Sequence, residues 1–258
     1  QEQGKSKDWV VEGLDYENTQ LEESAELAGD GDLMPAEGLR FGRVAVLPAA
    51  SPYESDAEAI VRLGNSPGGW GTGCHPTTGL CLTWLSDVIQ GGEHVMDFGC
   101  GSGVLTVGAL ALGAAKATCV DVEAEALVVT NANLELNELD HRAELLHVRE
   151  VVPGGLVPQA DVVVANILVG QLVRPSMVGS LCTNLVPGGL LCLSGIRPEE
   201  VDSLKEAYGD WMEWDASMYA EADPGVGGQD YWGRWARLIG RRVVTAEQTA
   251  MLSESAVS

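Results

Sequence analysis

Asp97, Gly99, Gly101 and Gly103 fall within "VMDFGCGSGVL" (95–105), where an acid ends an apolar run and three glycines precede the next one. Glycine at such points permits positive φ and lets a ligand come close to the backbone. The amides that open a following helix favour an anion. The spacing is G-x-G-x-G. It is not the G-x-G-x-x-G of dinucleotide enzymes, and without a Lys-Ser/Thr pair it is not a P-loop. Taken alone, it is also the pattern of a tight turn. Asp97 reads either as a turn or capping acid or as a carboxylate beside a ligand, holding a cationic amine. Asp121 ends the next apolar run, where a carboxylate accepts both hydroxyls of a ribose or stands as a surface acid.

Asn166, in "ANILVG" (165–170), ends another apolar run. Its side-chain oxygen accepts an N–H from an incoming amine, and the backbone carbonyls of Asn166 and Ile167 are further acceptors. Such a clamp orients a nitrogen lone pair for in-line attack on an electrophilic methyl group. A plain strand-to-helix turn is the other reading. "WGTGCHPTTGLC" (70–81) sets Cys74 and His75 beside Thr77 and Thr78. Neighbours on a turn rarely face one another, which disfavours a Cys-His nucleophile. The histidines at 75, 94, 141 and 147 have no ligand spacing, so no metal site is expected. Thr77 is a candidate N-cap, and His75 is expected to bond within the loop or to line a pocket.

These residues need a scaffold. Strand-like and helix-like stretches alternate five times, beginning with a helix over Thr77–Ile89 and the short strand "EHVMDF". They continue through "ATCVDV", "AELLHV", "DVVVANIL" and "LLCLSGI", with "PGG" (187–189) as the turn into the last of these. That alternation predicts an α/β fold, doubly wound, with a mostly parallel sheet covered on both faces. A helix over Gln171–Leu185 is confined or kinked by Pro175. "WMEWDASMYA" and "YWGRWARLIGRR" read as an antiparallel C-terminal strand pair at the sheet edge. "LRFGRVAVLP" (39–48) reads as one strand ending at Pro48.

The chain of 258 residues carries a net charge of −23, which opposes tight binding to a phosphate backbone and favours a basic protein or a small molecule as partner. No direct nucleic-acid binding is expected. No apolar run reaches the length of a membrane span. The six cysteines form no CxxC pair and sit in apolar segments, as buried free thiols do in a reducing compartment. Residues 1–38 read as an acidic linker or remnant N-terminal region, partly disordered, with no Lys or Arg between Asp8 and Glu37. Residues 39–242 read as the one folded domain, which carries all of these motifs, and 243–258 as a polar tail. The basic run Arg234, Arg237, Arg241 and Arg242 reads as solvated or paired with acids, and Tyr231, Trp232 and Trp235 as packing for the edge strands.

"GTGCHPTTGLCLTWL", "VMDFGCGSGVLTVGALALGAAKATCVDVEAEAL", "ADVVVANILVGQL", "VPGGLLCLSGI" and "WARLIGRR" occur in the order seen in bacterial ribosomal-protein lysine methyltransferases of the PrmA type. The resemblance runs from about Leu39 to Arg242, and its G-T-G-x-H-P-T-T block is far more specific than the glycine cluster. The resemblance implies a seven-stranded class I methyltransferase fold with S-adenosylmethionine as cofactor and a basic ribosomal protein, the eleventh of the large subunit, as substrate. Thr78, Gly99, Asp121 and Asn166 match the family's cofactor-contacting positions, and Asn166 also helps to place the target amine. Methylation of another protein or a small amine, or an inactive cofactor-binding module, are the alternatives. Two features depart from the family. "VDVEAEA" lacks the usual Pro after the acidic pair, although Asp121 is kept. The compact ferredoxin-like domain that grips the substrate is not visible ahead of the catalytic stretch, although "KDW" (7–9) resembles the start of the family's linker.

Overall fold

The computed structural model describes residues 34–64, 73–148, 152, 157–222 and 233–243. Three short strands, β1 (Leu39–Phe41), β2 (Val44–Pro48) and β3 (Ala59–Leu63), make a small sheet of their own. β1 runs antiparallel to β2, and β2 parallel to β3. The single strand expected over 39–48 is therefore a hairpin, broken at Gly42. β3 was not foreseen at all.

Among the described residues the main sheet has eight strands, one more than expected. β4 (His94–Phe98), β5 (Lys116–Asp121), β6 (Ala143–His147), β7 (Ala160–Asn166) and β8 (Leu185–Ile196) are parallel. β9 (Met212–Trp214), β10 (Ala220–Ala222) and β11 (Trp235–Arg242) are antiparallel additions, in the order β10-β11-β8-β7-β4-β5-β6, with β9 also on β11. The extra strand arises because Asp215 caps a short turn through Ser217, its Oδ1 accepting the Ser217 N–H at 2.9 Å. That turn splits the expected first member of the C-terminal pair into β9 and β10. The "PGG" stretch lies inside β8, where Gly188 takes positive φ and the register with β7 shifts.

Among the described residues six α-helices accompany the strands: α1 (Pro76–Val88), α2 (Val104–Ala111), α3 (Ala124–Leu136), α4 (Val169–Leu172), α5 (Pro175–Thr183) and α6 (Val201–Tyr208). Pro175 opens α5 rather than kinking a longer helix, so the run expected over 171–185 becomes two pieces. Alternation along the strands divides the core in two. Val95, Cys119, Val162 and Val164 face α1, α2 and α3 together with Leu82, Leu85, Val107 and Leu134. Met96, Phe98, Val163 and Ala165 face α5 and α6 together with Leu181, Cys182 and Leu204. Both faces of the sheet are thus apolar, as parallel sheets require.

All six cysteines are buried and free. Two arginines of the C-terminal run depart from expectation. Arg237 and Arg242 are buried, and they bond backbone carbonyls instead of facing solvent. Arg237 donates to Leu80 O at 2.7 Å and Met218 O at 2.9 Å, and Arg242 donates to Leu185 O. Arg241 donates to Gly188 O at 2.6 Å, and only Arg234 pairs with an acid, Glu221. No described helix is long and apolar enough to cross a membrane.

Leu85 is fully buried between α1 and the sheet, whereas Leu136 at the end of α3 is 44% exposed. Leu85→Ala is expected to lower unfolding stability by about 2–5 kcal/mol, and Leu136→Ala by less than about 0.5 kcal/mol, in urea denaturation.

Candidate active site

β4 and β7 are adjacent, yet the chain leaves them in opposite directions, through α2 to β5 on one side and through α4 and α5 to β8 on the other. A crevice opens at such a switch point, outside the carboxyl ends of the strands. Phe98 pairs with Ala165, so the turns following β4 and β7 leave the sheet side by side.

The turn after β4 carries the three glycines, with φ of 76° at Gly99, 55° at Gly101 and 75° at Gly103. The Gly99 and Cys100 N–H groups both donate to Val120 O, at 2.7 and 3.1 Å, which ties the turn to the end of β5. A Cβ at Gly99 would lie 2.4 Å from Ile167 Cγ2, so only glycine lets the two turns meet. On its other side Ile167 lies against Gly195 of β8, where a Cβ would be 2.5 Å from Ile167 O. Ile167 is therefore held between two glycines, with its carbonyl turned onto β8. Sequence reasoning treated it only as a carbonyl acceptor in the clamp; the sign of its packing role was the glycine at 195.

Asp121 ends β5 beside this turn and is 8% exposed. Its Oδ2 accepts the Gly101 N–H at 2.9 Å and its Oδ1 accepts the Glu123 N–H at 3.0 Å. Each carboxylate oxygen keeps a second lone pair, so the group can still accept two donors from a ligand. Asp97 is more deeply placed, at 1% exposure, and its Oδ2 accepts both the Thr106 N–H (3.1 Å) and the Thr106 hydroxyl (2.7 Å). These bonds lash α2 to β4, as a turn acid would. Burial pushes the Asp97 carboxyl up to about 6, against the lowering effect of the Thr106 bonds and with a smaller upward push from Asp121.

Asn166 supplies the test of whether the crevice suits a donor-bearing ligand. Its Oδ1 is buried and has no hydrogen-bond partner among the described residues. An amide oxygen in that state costs free energy unless a ligand donor meets it. Together with the close-packed glycine turn and the open lone pairs of Asp121, it fits the ammonium-, ribose- and amine-bearing groups of S-adenosylmethionine and its acceptor.

Thr77 and Thr78 lie in the first turn of α1, each 3% exposed. The cap, however, is His75 and not Thr77. The His75 Nδ1 accepts the Thr77 N–H at 3.3 Å and lies 2.7 Å from Thr77 Oγ1, while Pro76 occupies the first helical position. The His75 ring meets Trp235 edge-on, with centroids 4.8 Å apart, and the Arg197 guanidinium lies 3.6 Å over the Trp235 ring. Trp235 thus packs as expected, but it joins α1, β8 and β11 at the same edge of the sheet. Gly71, Tyr231 and Trp232, most of the acidic stretch and all but Val243 of the tail lie outside the described residues. Among the described residues no group of three His, Cys, Asp or Glu is placed to hold a metal ion.

A switch-point crevice floored by a left-handed glycine turn, in a parallel sheet finished by antiparallel strands, is the architecture of class I S-adenosylmethionine-dependent methyltransferases. A solved structure described as ribosomal protein L11 methylase, from Lactobacillus delbrueckii subsp. bulgaricus, superposes with a TM-score of 0.61 at 24% identity, over 78% of this chain and 94% of that one. The chain belongs to the ribosomal protein L11 methyltransferase (PrmA) family, whose model matches residues 36–223. It is 34% identical over 242 residues to the ribosomal protein L11 methyltransferase of Shewanella amazonensis, covering 93% of this chain and 70% of that protein. The protein of the same name from Hahella chejuensis is 39% identical over 206 residues, covering 80% of this chain and 64% of that protein. The chain therefore spans about two thirds of the length of these relatives.

Because the folded carboxyl of Asp97 titrates near 6 and an unfolded one near 3.8, the folded state takes up a proton between those values and its stability rises as pH falls through them. Asp97→Asn lacks this dependence. The stability of the intact chain relative to Asp97→Asn is expected to increase by about 2 kcal/mol from pH 7 to pH 4.5 in urea denaturation.

Proposed function

We propose that this chain binds S-adenosylmethionine in the crevice between β4 and β7 and transfers its methyl group to an amine of a ribosomal protein. The catalytic domain is residues 39–242, and the acidic body attracts a basic substrate. The unpartnered Oδ1 of Asn166, at the end of β7 and next to Ile167 packed on Gly99, is the observation that supports this reading most directly.

When bound, the cofactor supplies an electrophilic methyl group on a sulfonium. Gly99, Gly101 and Gly103 let it lie against the backbone, and Asp121 accepts the ribose hydroxyls. Thr78, in the first turn of α1, is the further residue that would contact the cofactor. Asp97 acts beside the site, holding α2 to β4 so that the glycine turn keeps its shape. Asn166 accepts one N–H of the neutral target amine, which aims the remaining lone pair along the line of attack. The catalytic effect is orientation and electrostatic placement, without a strong base.

The relatives' name points to ribosomal protein L11 as the substrate class, and the acidity of the chain is consistent with that basic protein. S-adenosylmethionine is expected to bind the intact chain in calorimetric titration, with Asp121→Ala weakening binding about tenfold or more. Asn166→Ala is expected to keep cofactor binding while lowering the rate of methyl transfer about a hundredfold. Mass spectrometry is expected to find methyl groups on purified ribosomal protein L11 and none on naked rRNA. Absence of cofactor binding by the intact chain, or methyl groups only on RNA, would refute the proposal.

A further inference from the structure

Helix α3 and its C-cap residue Asn137 set Thr130, Asn133 and Asn137 on one face, three and four residues apart. Thr130 and Asn133 are buried polar residues inside an otherwise apolar contact. The Thr130 hydroxyl donates to Gly101 O at 2.8 Å, and Asn133 Nδ2 donates to Ser102 O at 2.8 Å. Two successive carbonyls of the glycine turn are therefore drawn onto α3. Peptide units are planar and trans, so the N–H groups of Ser102 and Gly103 point the other way. Gly103 spends its N–H on Cys100 O, at 2.8 Å, within the turn. The Ser102 N–H is left directed away from α3.

The other end of the Asn133 side chain, together with Asn137, holds the small sheet. Asn133 Oδ1 accepts the Gly64 N–H at 2.9 Å, at the exit of β3. Asn137 spans the backbone of Arg62 as a neighbouring strand would, accepting its N–H at 2.8 Å and donating to its carbonyl at 2.7 Å. Of the three, Asn137 reaches only β3, with a further bond from its Nδ2 to Asn133 O at 2.7 Å inside its own helix end, Thr130 reaches only the glycine turn, and Asn133 reaches both. In sequence, Gly64 leads toward the block that contains His75 and Thr78.

We infer that Asn133 is a positioning residue for the cofactor, its single amide fixing the Ser102 carbonyl and the Gly64 amide so that the N-terminal sheet and the glycine turn are set by one side chain. The inference rests on the reading of the crevice as the S-adenosylmethionine site. Asn133 contacts neither reacting group; it acts through the turn. Loss of the donor arm frees the turn, and loss of the acceptor arm frees the end of β3.

The test is calorimetric titration of S-adenosylmethionine into the full chain and into Asn133→Ala, Asn133→Asp, Asn137→Ala, Thr130→Val and Thr130→Ser, with the urea midpoint measured for each. Asn133→Asp keeps an acceptor for Gly64 but has no donor for Ser102, so it remains informative where Asn133→Ala fails to fold. Asn133→Ala and Asn133→Asp are expected to raise Kd about tenfold or more. Asn137→Ala is expected to lower the urea midpoint while Kd stays within about twofold of the intact chain. Thr130→Val weakens binding and Thr130→Ser restores it, since serine keeps the bond to Gly101. An intact Kd in Asn133→Asp overturns the inference, as does a Kd that rises with lost stability in Asn137→Ala to the same extent as in Asn133→Ala. Failure of the intact chain itself to bind is a different result, and it removes the cofactor reading on which the inference rests.

Discussion

The contact of Ile167 with Gly99 on one side and Gly195 on the other is the constraint on which the site depends. It brings together the turns that follow β4 and β7 and the end of β8, three adjacent parallel strands. A side chain at either glycine would collide with Ile167, and the positive φ at both would be strained for any other residue. With Ile167 fixed, Asn166 is fixed one residue before it, and the glycine turn is fixed one residue after β4. The crevice is therefore a consequence of strand order plus two missing Cβ atoms.

The rest of the molecule holds that arrangement from both faces of the sheet. Two apolar cores, one per face, make the five parallel strands rigid, and their alternation leaves little choice of register. Polar groups buried in these cores are used as ties. Thr106 ties α2 to Asp97, Thr130 and Asn133 tie α3 to the glycine turn, and Arg237 ties β11 to the carbonyls of Leu80 in α1 and Met218. Each buried donor or acceptor so used avoids the cost of an unmet hydrogen bond. At the crevice two atoms among the described residues are exceptions, Asn166 Oδ1 and the Ser102 hydroxyl of the glycine turn, and this is where a ligand would satisfy them.

Much of this was legible in the sequence for a physical reason. Short continuous apolar runs closing near Asp97, Asp121 and Asn166, separated by helical runs, leave few folds other than a doubly wound sheet. Three glycines between β4 and α2 announced left-handed backbone. Other features were not legible because they rest on tertiary contacts. β3 is a five-residue strand after a polar stretch, and it exists by pairing with β2 and by Asn137 capping its backbone. Nothing in "WARLIGRR" shows that Arg237 and Arg242 would find backbone carbonyls inside the fold. The His75 cap was readable in principle, since Pro76 sets the first helical position and so places the cap one residue earlier, but the paired threonines drew attention past it. Thr130 and Asn133 look like interruptions of an apolar helix face until the carbonyls they meet are known.

The central claim is that the glycine turn packed on Ile167 is where the cofactor lies. The most direct measurement is calorimetric titration of S-adenosylmethionine into Gly99→Ala, with circular dichroism to establish that the variant is folded. A methyl group there must displace Ile167 and strain the turn, so a folded variant that has lost measurable binding is the predicted result. Binding with the affinity of the intact chain would contradict the account.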